Sequence, residues 1–212
     1  KVASMDLNNT PFLSYLADKK KPIIISTGMG ELSEIDNAVR TIESRNNLDI
    51  SIIIYYNIIY IMKAIAVFQG SLKGSYCTFY QDGPKFPVKI NVHAHGLKPG
   101  KHGFHVHELG NLLKTDCSEC KGHWNPENKT HGGLNDKHSH AGDLGNITAN
   151  DDGEANTHIS SAKLTLYGKK SILGRSIIIH ADEDDLGKGD HDDSHTTGHA
   201  GKRLDCAIIG YA

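Results

Sequence analysis

The side chains able to bind metals are distributed unevenly along this chain, and that unevenness limits how it can fold. All 14 histidines and all 4 cysteines lie between residues 77 and 206, and 20 of the 22 glycines follow residue 69. Residues 1–61 contain neither histidine nor cysteine. Such a change in composition is typical of a junction between two unrelated segments. A chain of 212 residues is long enough for one ordinary domain with an additional segment.

The composition changes at ISIIIYYNIIYI, residues 50–61, which contains seven isoleucines and three tyrosines. A membrane-spanning helix needs about 20 apolar residues, so this run is too short to cross a bilayer. It also lies in the middle of the chain, without the basic region that begins a signal peptide. We therefore interpret residues 50–61 as a β-prone apolar junction between an amino-terminal segment, residues 1–49, and a domain over residues 62–212.

Residues 1–49 have the alternating strand and helix pattern of βαβα units. After a short first strand, NTPFLSYLADKK predicts a helix capped by Asn9 or Thr10, KPIIISTGMG a buried strand and ELSEIDNAVRTIE an amphipathic helix. The stretches KVAS, MDLNN and PIIISTGMGELSEI, within residues 1–43, resemble part of the N-acetylneuraminate (sialic acid) synthase family, whose catalytic domain is a TIM barrel. Two βα units cannot close a barrel, so we predict a non-functional partial fragment rather than an active sugar-acid synthase.

After residue 62 the pattern changes to short alternating apolar runs. They are KAIAVFQG, GSYCTFYQ, PVKINVHAHG, GFHVHELG, GDLGNITA, KLTLYG, RSIIIHA and LDCAIIGYA, and glycine, proline, asparagine or aspartate separates nearly all of them. Runs at this spacing predict an antiparallel β-sandwich or barrel. Two long segments, roughly residues 110–141 and 181–203, interrupt the rhythm, and loops of that length are usually functional or disordered.

Groups of metal-ligand type are concentrated in and beside these loops. In GFHVHE, His105 and His107 are two residues apart on a predicted strand, so both point to the face opposite Phe104 and Val106. The same spacing in INVHAHG we interpret as the solvated face of an amphipathic strand. The full set of candidate ligands is His105, His107, His123, His131, His140, Asp143 and His180. Three histidines with an aspartate can close a tetrahedral zinc site, and four histidines favour copper, so the set is large enough for two metals.

Residues 62–212 resemble the Cu/Zn superoxide dismutase family over essentially the full length of that domain. The motifs that carry the resemblance are GFHVHE, GHWNP, KTHGGL, HAGDLGN, IIIHADEDDLGKG and GHAGKRLDCAIIG. The resemblance implies an all-β fold, an eight-stranded antiparallel Greek-key β-barrel or sandwich with two long functional loops, preceded here by the short α/β fragment. It also implies a homodimer. Because no signal segment follows Met62, we expect a cytoplasmic location.

The resemblance further implies a role for each site residue. Copper is bound by His105, His107, His123 and His180, and zinc by His123, His131, His140 and Asp143. His123 bridges the two ions and, together with Arg203, is catalytic. Asp184 links His105 to His131, and such partners fix the orientation of ligand rings. Thr197 lines the substrate channel, and Cys117 pairs with Cys206 in a disulfide.

The reaction that the resemblance implies is dismutation of superoxide to dioxygen and hydrogen peroxide by alternate reduction and oxidation of copper, with a structural zinc. The alternative is a non-catalytic metal-binding sandwich, such as a copper chaperone or buffer. Retention of Arg203 favours the enzyme, because a buffer does not need it. The implied partners are the superoxide anion, a second copy of the chain and, as an open option, a copper chaperone. The net charge of -2 argues against a nucleic-acid binder, and we expect no membrane association.

Several positions depart from the family pattern, among them Asn111 and one extra residue between His107 and Cys117. Asp205 stands beside Cys206, and on an extended strand we expect it to share a face with Arg203 and weaken the positive field there. Thr196 stands where many relatives carry a lysine. Cys120 lies three residues after Cys117 and is a potential competitor for the disulfide.

Overall fold

The computed structural model describes residues 6–26, 32–48, 50–53 and 61–212. The chain divides into two compact units, Lys1–Ile59 and Tyr60–Ala212. Within the described residues, no helix has both the length and the apolar character needed to cross a membrane.

The described residues of the first unit form two helices and two strands. They are α1 (Thr10–Asp18), β1 (Ile23–Ser26), α2 (Leu32–Glu43) and β2 (Ile50–Ile53). Asn9 caps α1, because its side-chain oxygen accepts a hydrogen bond from the Phe12 N–H at 3.2 Å. The strands β1 and β2 pair in parallel, so the start of the predicted junction contributes a strand to this unit. The strand predicted at the very start of the chain lies outside the described residues.

The second unit is built from two antiparallel sheets, which agrees with the predicted mostly-β class. Its strands are β3 (Met62–Val67), β4 (Tyr76–Gln81), β5 (Val88–Ala94), β6 (Gly100–His107), β7 (Asp143–Ala149), β8 (Ala155–Ser161), β9 (Ser176–His180), β10 (Arg203–Ile208) and β11 (Gly210–Tyr211). One sheet has the order β10-β9-β6-β7 and the other β11-β3-β4-β5-β8. The described residues thus form nine strands here, and the closed eight-stranded Greek-key arrangement stays a prediction.

The core of this unit follows from the two-residue period of its strands. In β5, Val88, Ile90 and Val92 are buried while the residues between them are more exposed. Phe104 and Val106 on β6 belong to the same buried cluster. Strand β6 is therefore fixed by two large apolar anchors on one face, and its other face is free to carry functional side chains.

The strand predicted at KLTLYG is wrong, and a strand was missed just before it. Residues 163–167 have buried and half-buried positions in alternation, but their backbone does not join a sheet. A side chain instead of a neighbouring strand pairs with this backbone: the side-chain oxygen of Gln81 accepts the Leu166 N–H at 2.7 Å. The missed strand, β8, carries the polar residues Asn156, His158 and Ser160 on its exposed side, which weakens its apolar signal.

The final run, LDCAIIGYA, was predicted as one strand but contributes to both sheets. Strand β10 pairs with β9, whereas β11 pairs with β3. The crossing point is Ile209, whose N–H donates to the Arg175 carbonyl and whose carbonyl accepts from the Gly174 N–H, both at 2.9 Å. Backbone pairing with the segment before β9 therefore moves the chain from one sheet to the other.

Two long connections lie at the β6–β9 sheet. The first joins β6 to β7 and includes a short 3₁₀ turn, Ser118–Cys120; the second joins β9 to β10 and includes the one-turn helix α3, Ser194–Thr197. A disulfide between Cys117 and Cys206 links the first connection to β10 across 89 residues of sequence. Closing so long a loop restricts the unfolded chain and so stabilises the fold.

Candidate metal centre

The candidate site is built on the face of β6 opposite the apolar core. His105 and His107 alternate with the buried Phe104 and Val106, as their spacing predicts. Their own face is not open to solvent, because the two side chains are only 0% and 1% exposed. The loop after β6 folds back over the strand: the Trp124 N–H donates to the Val106 carbonyl at 2.8 Å. This pairing places His123 opposite His107 in an isolated β-bridge.

Four histidines form a first group, which we call the four-histidine group. Its members are His105, His107, His123 and His180, and their potential ligand atoms all lie within 4.8 Å of one another. His180 arrives from the end of β9, the neighbour of β6 in the sheet. Its Nε2 lies 3.4 Å from the Nε2 of His107. All four side chains are buried, so water does not hydrate the group as it would on a surface.

Some ring nitrogens of this group contact a carbonyl or a carboxylate, and others point into the group without a hydrogen-bond partner. His107 donates its Nδ1–H to the Lys121 carbonyl at 2.8 Å, and Nε2 of His105 lies 2.8 Å from Asp184. The opposite nitrogen of His105, Nδ1, and Nε2 of His123 are buried without a hydrogen-bond partner among the residues that the structure describes. Buried polar atoms are almost always paired, so these two orphans indicate atoms that serve a ligand.

Three histidines and an aspartate form a second group, which we call the loop group. Its members are His123, His131, His140 and Asp143, and their ligand atoms also lie within 4.8 Å of one another. Asp143 Oδ1 lies 2.8 Å from Nδ1 of His123 and 3.1 Å from Nδ1 of both His131 and His140. His131 Nδ1 nevertheless lacks a geometrically acceptable hydrogen bond. His123 belongs to both groups and faces each with a different nitrogen.

The second oxygen of Asp143 organises the loop around it. Asp143 Oδ2 accepts the backbone N–H of Gly132 at 3.1 Å and that of His140 at 2.8 Å. One carboxylate therefore closes the turn that carries the ligands and also presents its other oxygen to three imidazoles. Asp143 itself is anchored as the first residue of β7.

Asp184 connects the two groups from behind, at the position where the sequence predicts a linking carboxylate. Its two oxygens lie 2.8 Å from Nε2 of His105 and 2.8 Å from Nε2 of His131. Sequence reasoning missed the residue that fixes Asp184, namely Asn146 on β7. Asn146 accepts the Asp184 N–H at 2.8 Å and donates to the Asp184 carbonyl at 2.9 Å. Its position three residues after Asp143, in a motif that carries the family resemblance, is the only signal that could have found it.

Gly198 leaves room for this connection. Its φ is +68°, and a Cβ at this position would lie 2.0 Å from Asp184 Oδ1 and 2.4 Å from His131 Nε2. Any larger residue would displace the carboxylate or the imidazole. The glycine that ends α3 is therefore required by the packing of the metal centre as well as by its backbone conformation.

Electrostatics keep the four-histidine group neutral. Burial, with the neighbouring imidazoles His123 and His180, holds the pKa of His105 and that of His107 well below the ordinary value. Burial also lowers the pKa of His180 to about 3. A neutral imidazole has a lone pair available for a metal, so the fold prepares these side chains to be ligands at neutral pH.

The loop group has the opposite character. Burial disfavours the charged form of His131, but its contacts with Asp143 and Asp184 outweigh that effect and raise its pKa to about 9. Burial likewise raises the pKa of Asp143, yet its close contacts with His123, His131 and His140 lower it far more. The group therefore pairs a carboxylate with an imidazolium, and a divalent cation would replace that proton.

Arg203 lies beside the four-histidine group, opposite His180 in the β10–β9 ladder. Its positive charge contributes to the lowered pKa of both His107 and His180. The guanidinium donates to the Cys117 and Lys121 carbonyls. It also lines an open cavity of about 410 Å³ with Asp116, Ser118, Gly201 and Lys202. A guanidinium stays charged in proteins, so this cavity has a cation in its wall next to the histidines.

Asp205 does not face Arg203, contrary to our expectation. A register irregularity falls between the two residues in β10, and the Asp205 carboxylate is buried. It accepts the Leu72 N–H at 2.9 Å and the Cys206 N–H at 2.8 Å. The bulge breaks the two-residue period on which the expectation depended, and the carboxylate serves to attach the β3–β4 connection.

The remaining predicted positions lie around the centre. Thr197 is exposed on α3, and its hydroxyl lies 2.9 Å from Asp193 Oδ2. Its role at a channel rim stays a prediction. Cys117 is bonded to Cys206, and Cys120 is a buried free thiol packed in the same small cluster. His138, which the resemblance does not include among the ligands, is exposed.

The fold and the site together define a class of protein, an antiparallel β-sandwich whose loops cover two adjoining groups of metal-ligand side chains. Comparison with known families identifies it further. The family model described as copper/zinc superoxide dismutase matches residues 74–209, more than half of the chain, and the chain belongs to that family. The NeuB family model matches residues 1–56. Both resemblances predicted from the sequence are thereby confirmed.

Proposed function

We propose that this protein is a superoxide dismutase, converting two superoxide anions and two protons to dioxygen and hydrogen peroxide. The observation that carries the proposal is the shared, buried His123, which joins a four-histidine group to a loop group of three histidines and an aspartate. Family membership supports the same reading. An open cavity lined by Arg203 and Lys202, with Asp116 also in its wall, gives a small anion a place to enter, and Arg203 pairs with His180 of the four-histidine group in the β10–β9 ladder.

The four-histidine group fits copper. Imidazole nitrogen is a preferred ligand of copper, and these imidazoles are neutral, buried and, at His105 and His123, unpartnered at the interior nitrogen. Copper held by His105, His107, His123 and His180 would supply the redox chemistry, accepting an electron from one superoxide and returning it to a second. The chain's own contribution is to fix each ring through its other nitrogen, as the Lys121 carbonyl does for His107.

The loop group fits zinc. Three imidazoles and one carboxylate make the closed tetrahedral shell that is typical of structural zinc. With all four positions taken by His123, His131, His140 and Asp143, no open position remains for substrate. We propose that zinc there holds the loop in place and keeps His123 oriented between the groups.

Two residues of the chain would act on the substrate. Arg203 would attract and orient superoxide, because a positive charge in a cavity wall increases the capture of anions. His123 would handle a proton at Nε2, the buried nitrogen without a partner on the four-histidine side. Thr197 would line the channel. The second candidate, a non-catalytic copper chaperone or buffer, gives no role to an arginine at this cavity.

We also propose three attributes that the family implies, namely a homodimer, a closed eight-stranded Greek-key arrangement and the option of copper loading by a chaperone. We propose a cytoplasmic location as well, on the sequence after Met62. None of them is needed for the chemistry proposed above.

The proposal is tested on the full chain loaded with copper and zinc, by measuring metal content per subunit and superoxide dismutation on the same sample. We expect one copper, one zinc and activity, and we expect His180→Ala to lose copper and activity. His158→Ala, at an exposed histidine outside both groups, is the matched control and should match the native protein. A native protein that binds zinc but neither binds copper nor dismutates superoxide would favour the non-catalytic metal-binding sandwich instead.

A further inference from the structure

Lys163 reaches the loop group from outside it. The residue follows β8, and its ammonium group donates to the Asp136 carbonyl at 2.7 Å and to the Ser139 hydroxyl. The sequence separations are 27 and 24 residues, so these are tertiary contacts. Two hydrogen bonds from one ammonium group to a single turn make a specific attachment.

The attachment differs from an ordinary surface lysine. Burial lowers the pKa of Lys163, while the nearby Asp143 opposes the change. Ser139, one of its acceptors, is 1% exposed. Lys170, by contrast, is mostly exposed and lies 3.5 Å from Glu127. Ordering a lysine side chain costs rotamer entropy, so a lysine held at two acceptors, one of them the buried Ser139 hydroxyl, indicates a compensating structural role.

The turn to which Lys163 donates lies immediately before the ligand residue His140. Asp136 forms a tight turn with Gly133, whose N–H donates to the Asp136 carboxylate at 2.9 Å. Ser139 immediately precedes His140, and the His140 N–H donates to Asp143. Loss of the ammonium group would leave the Ser139 hydroxyl and the Asp136 carbonyl without this donor. The segment that positions His140 would then be held less firmly.

We propose that Lys163 is a positioning residue for the loop group, fixing residues 136–140 so that the His140 imidazole is aligned for zinc. The proposal rests on the assignment of zinc to that group. It predicts a selective effect, because the ammonium group of Lys163 donates to residues of the turn before His140, whereas β6 and β9 carry three members of the four-histidine group. Zinc retention should depend on Lys163, and copper retention should not.

The test compares Lys163→Met with Lys170→Met in the full chain. Each protein is loaded with copper and zinc, and the release of each metal to a chelator is followed with a dye specific for that metal. We expect Lys163→Met to release zinc at least about tenfold faster than the native protein, since partners behind metal ligands change affinity by about 10–100-fold. Lys170→Met should be unchanged. Cobalt in place of zinc gives a second readout, because its visible spectrum reports on distortion of the tetrahedral site.

Two further variants separate positioning from general loss of stability. Lys163→Arg keeps two donors and should restore most of the zinc retention. Ser139→Ala removes one acceptor and should accelerate release less than Lys163→Met, and in the double variant the two effects should not add, because they share one interaction. If Lys163→Met fails to fold, these two variants decide the question through the same zinc release.

Each outcome has one meaning. Equal zinc release from Lys163→Met, Lys170→Met and native protein would overturn the role of Lys163 and leave the proposed function intact. Equal loss of copper and zinc would also overturn it, since the effect would then be structural. A native protein that takes up no zinc at all would overturn both proposals together.

Discussion

The two groups of ligands are built in different ways although they share His123. The four-histidine group takes three members from adjacent strands of one sheet, His105 and His107 from β6 and His180 from β9. The loop group takes only Asp143 from a strand, while His131 and His140 lie in the long connection before it. Strand-borne ligands are placed by the sheet ladder and the core behind it. Loop-borne ligands depend on separate hydrogen bonds: Asp143 and Asp184 accept from the ligand residues, and Lys163 donates to the turn before His140.

This difference predicts which substitutions disrupt metal binding in each group. A sheet resists small changes, so the four-histidine group should fail mainly when a ligand itself is removed. A loop held by separate hydrogen bonds should fail when any one of its supports is removed. The two groups also differ electrostatically, because burial keeps the first neutral while carboxylates hold a proton on His131 in the second.

The largest loss of metal binding and activity is expected at His123, the residue that the two ligand groups share. His123→Ala removes a ligand from both groups, so both metals should bind more than about 100-fold more weakly and dismutation should fall to background. Metal content and activity on one sample measure this. His138→Ala, an exposed histidine of the same loop, is the control, and retention of either metal at full occupancy in His123→Ala would contradict a shared ligand.

Arg203→Ala tests the cation without removing a ligand. The dismutation rate should fall by about 10-fold or more while metal content stays unchanged, because the cation attracts the substrate and does not bind the metals. The remaining activity should also depend less on ionic strength, since screening acts on the lost attraction. Arg203→Lys should keep part of the rate. A native rate that does not change with salt would argue against electrostatic capture.

Asp184→Asn tests whether ligands in the loop depend more on their supporting hydrogen bonds than ligands on the strands do. The amide keeps the volume but replaces one acceptor oxygen with a donor, so it cannot accept from both His105 and His131. Zinc affinity should fall by about 10–100-fold, with a smaller loss for copper, because β6 still holds His105. Glu183→Gln, next to it and exposed, should bind both metals normally. An equal loss of copper and zinc, measured by competition with chelators, is the result that would refute the distinction.

The metal-free protein should show the electrostatic difference as a pH profile. A folded pKa of about 3 for His180 lies below its ordinary value of 6.5, so the unfolded state binds more protons and stability falls as pH drops from about 6.5 toward 3. His131 has the opposite sign, and its contribution is lost as pH rises through about 9. Thermal unfolding should therefore show a maximum between these limits, and His180→Ala should have a shallower acid side. A flat profile would exclude both effects.

The smallest effect is expected from removing residues 1–61. The amino-terminal segment contains no histidine or cysteine, and both ligand groups lie in the second unit. Metal content and dismutation should match those of the full chain. A loss of activity would assign the first unit a role that its fragmentary sequence does not indicate.

Most of the site was accessible from the sequence because its motifs combine residue type with spacing. His105 and His107 on one face of a strand, and the concentration of histidines before Asp143, point to metals without any tertiary information. Two of the residues that support the loop, Asn146 and Lys163, were not accessible in the same way. Asn146 and Lys163 act through contacts across the fold, and neither an asparagine in a strand nor a lysine after one has a distinctive local pattern.

The errors in the fold have similar causes. KLTLYG alternates like a strand but meets Gln81 instead of a neighbouring strand, and β8 is too polar on its exposed side to stand out. Asp205 was expected on the face of Arg203 because alternation assumes a regular ladder. The register irregularity between them turned the carboxylate toward Leu72 instead.

The sequence by itself determined the division into two segments, the mostly-β class of the second, the family and the set of candidate ligands, since composition, periodicity and motif spacing are local properties of the chain. The tertiary structure alone decided which nitrogen of each imidazole faces inward, which carboxylate supports which ring, and how burial shifts each pKa. Those properties depend on hydrogen bonds and desolvation between residues far apart in sequence, such as Asp184 with His105 and Lys163 with Ser139. No local pattern specifies them before the sheets and loops have come together.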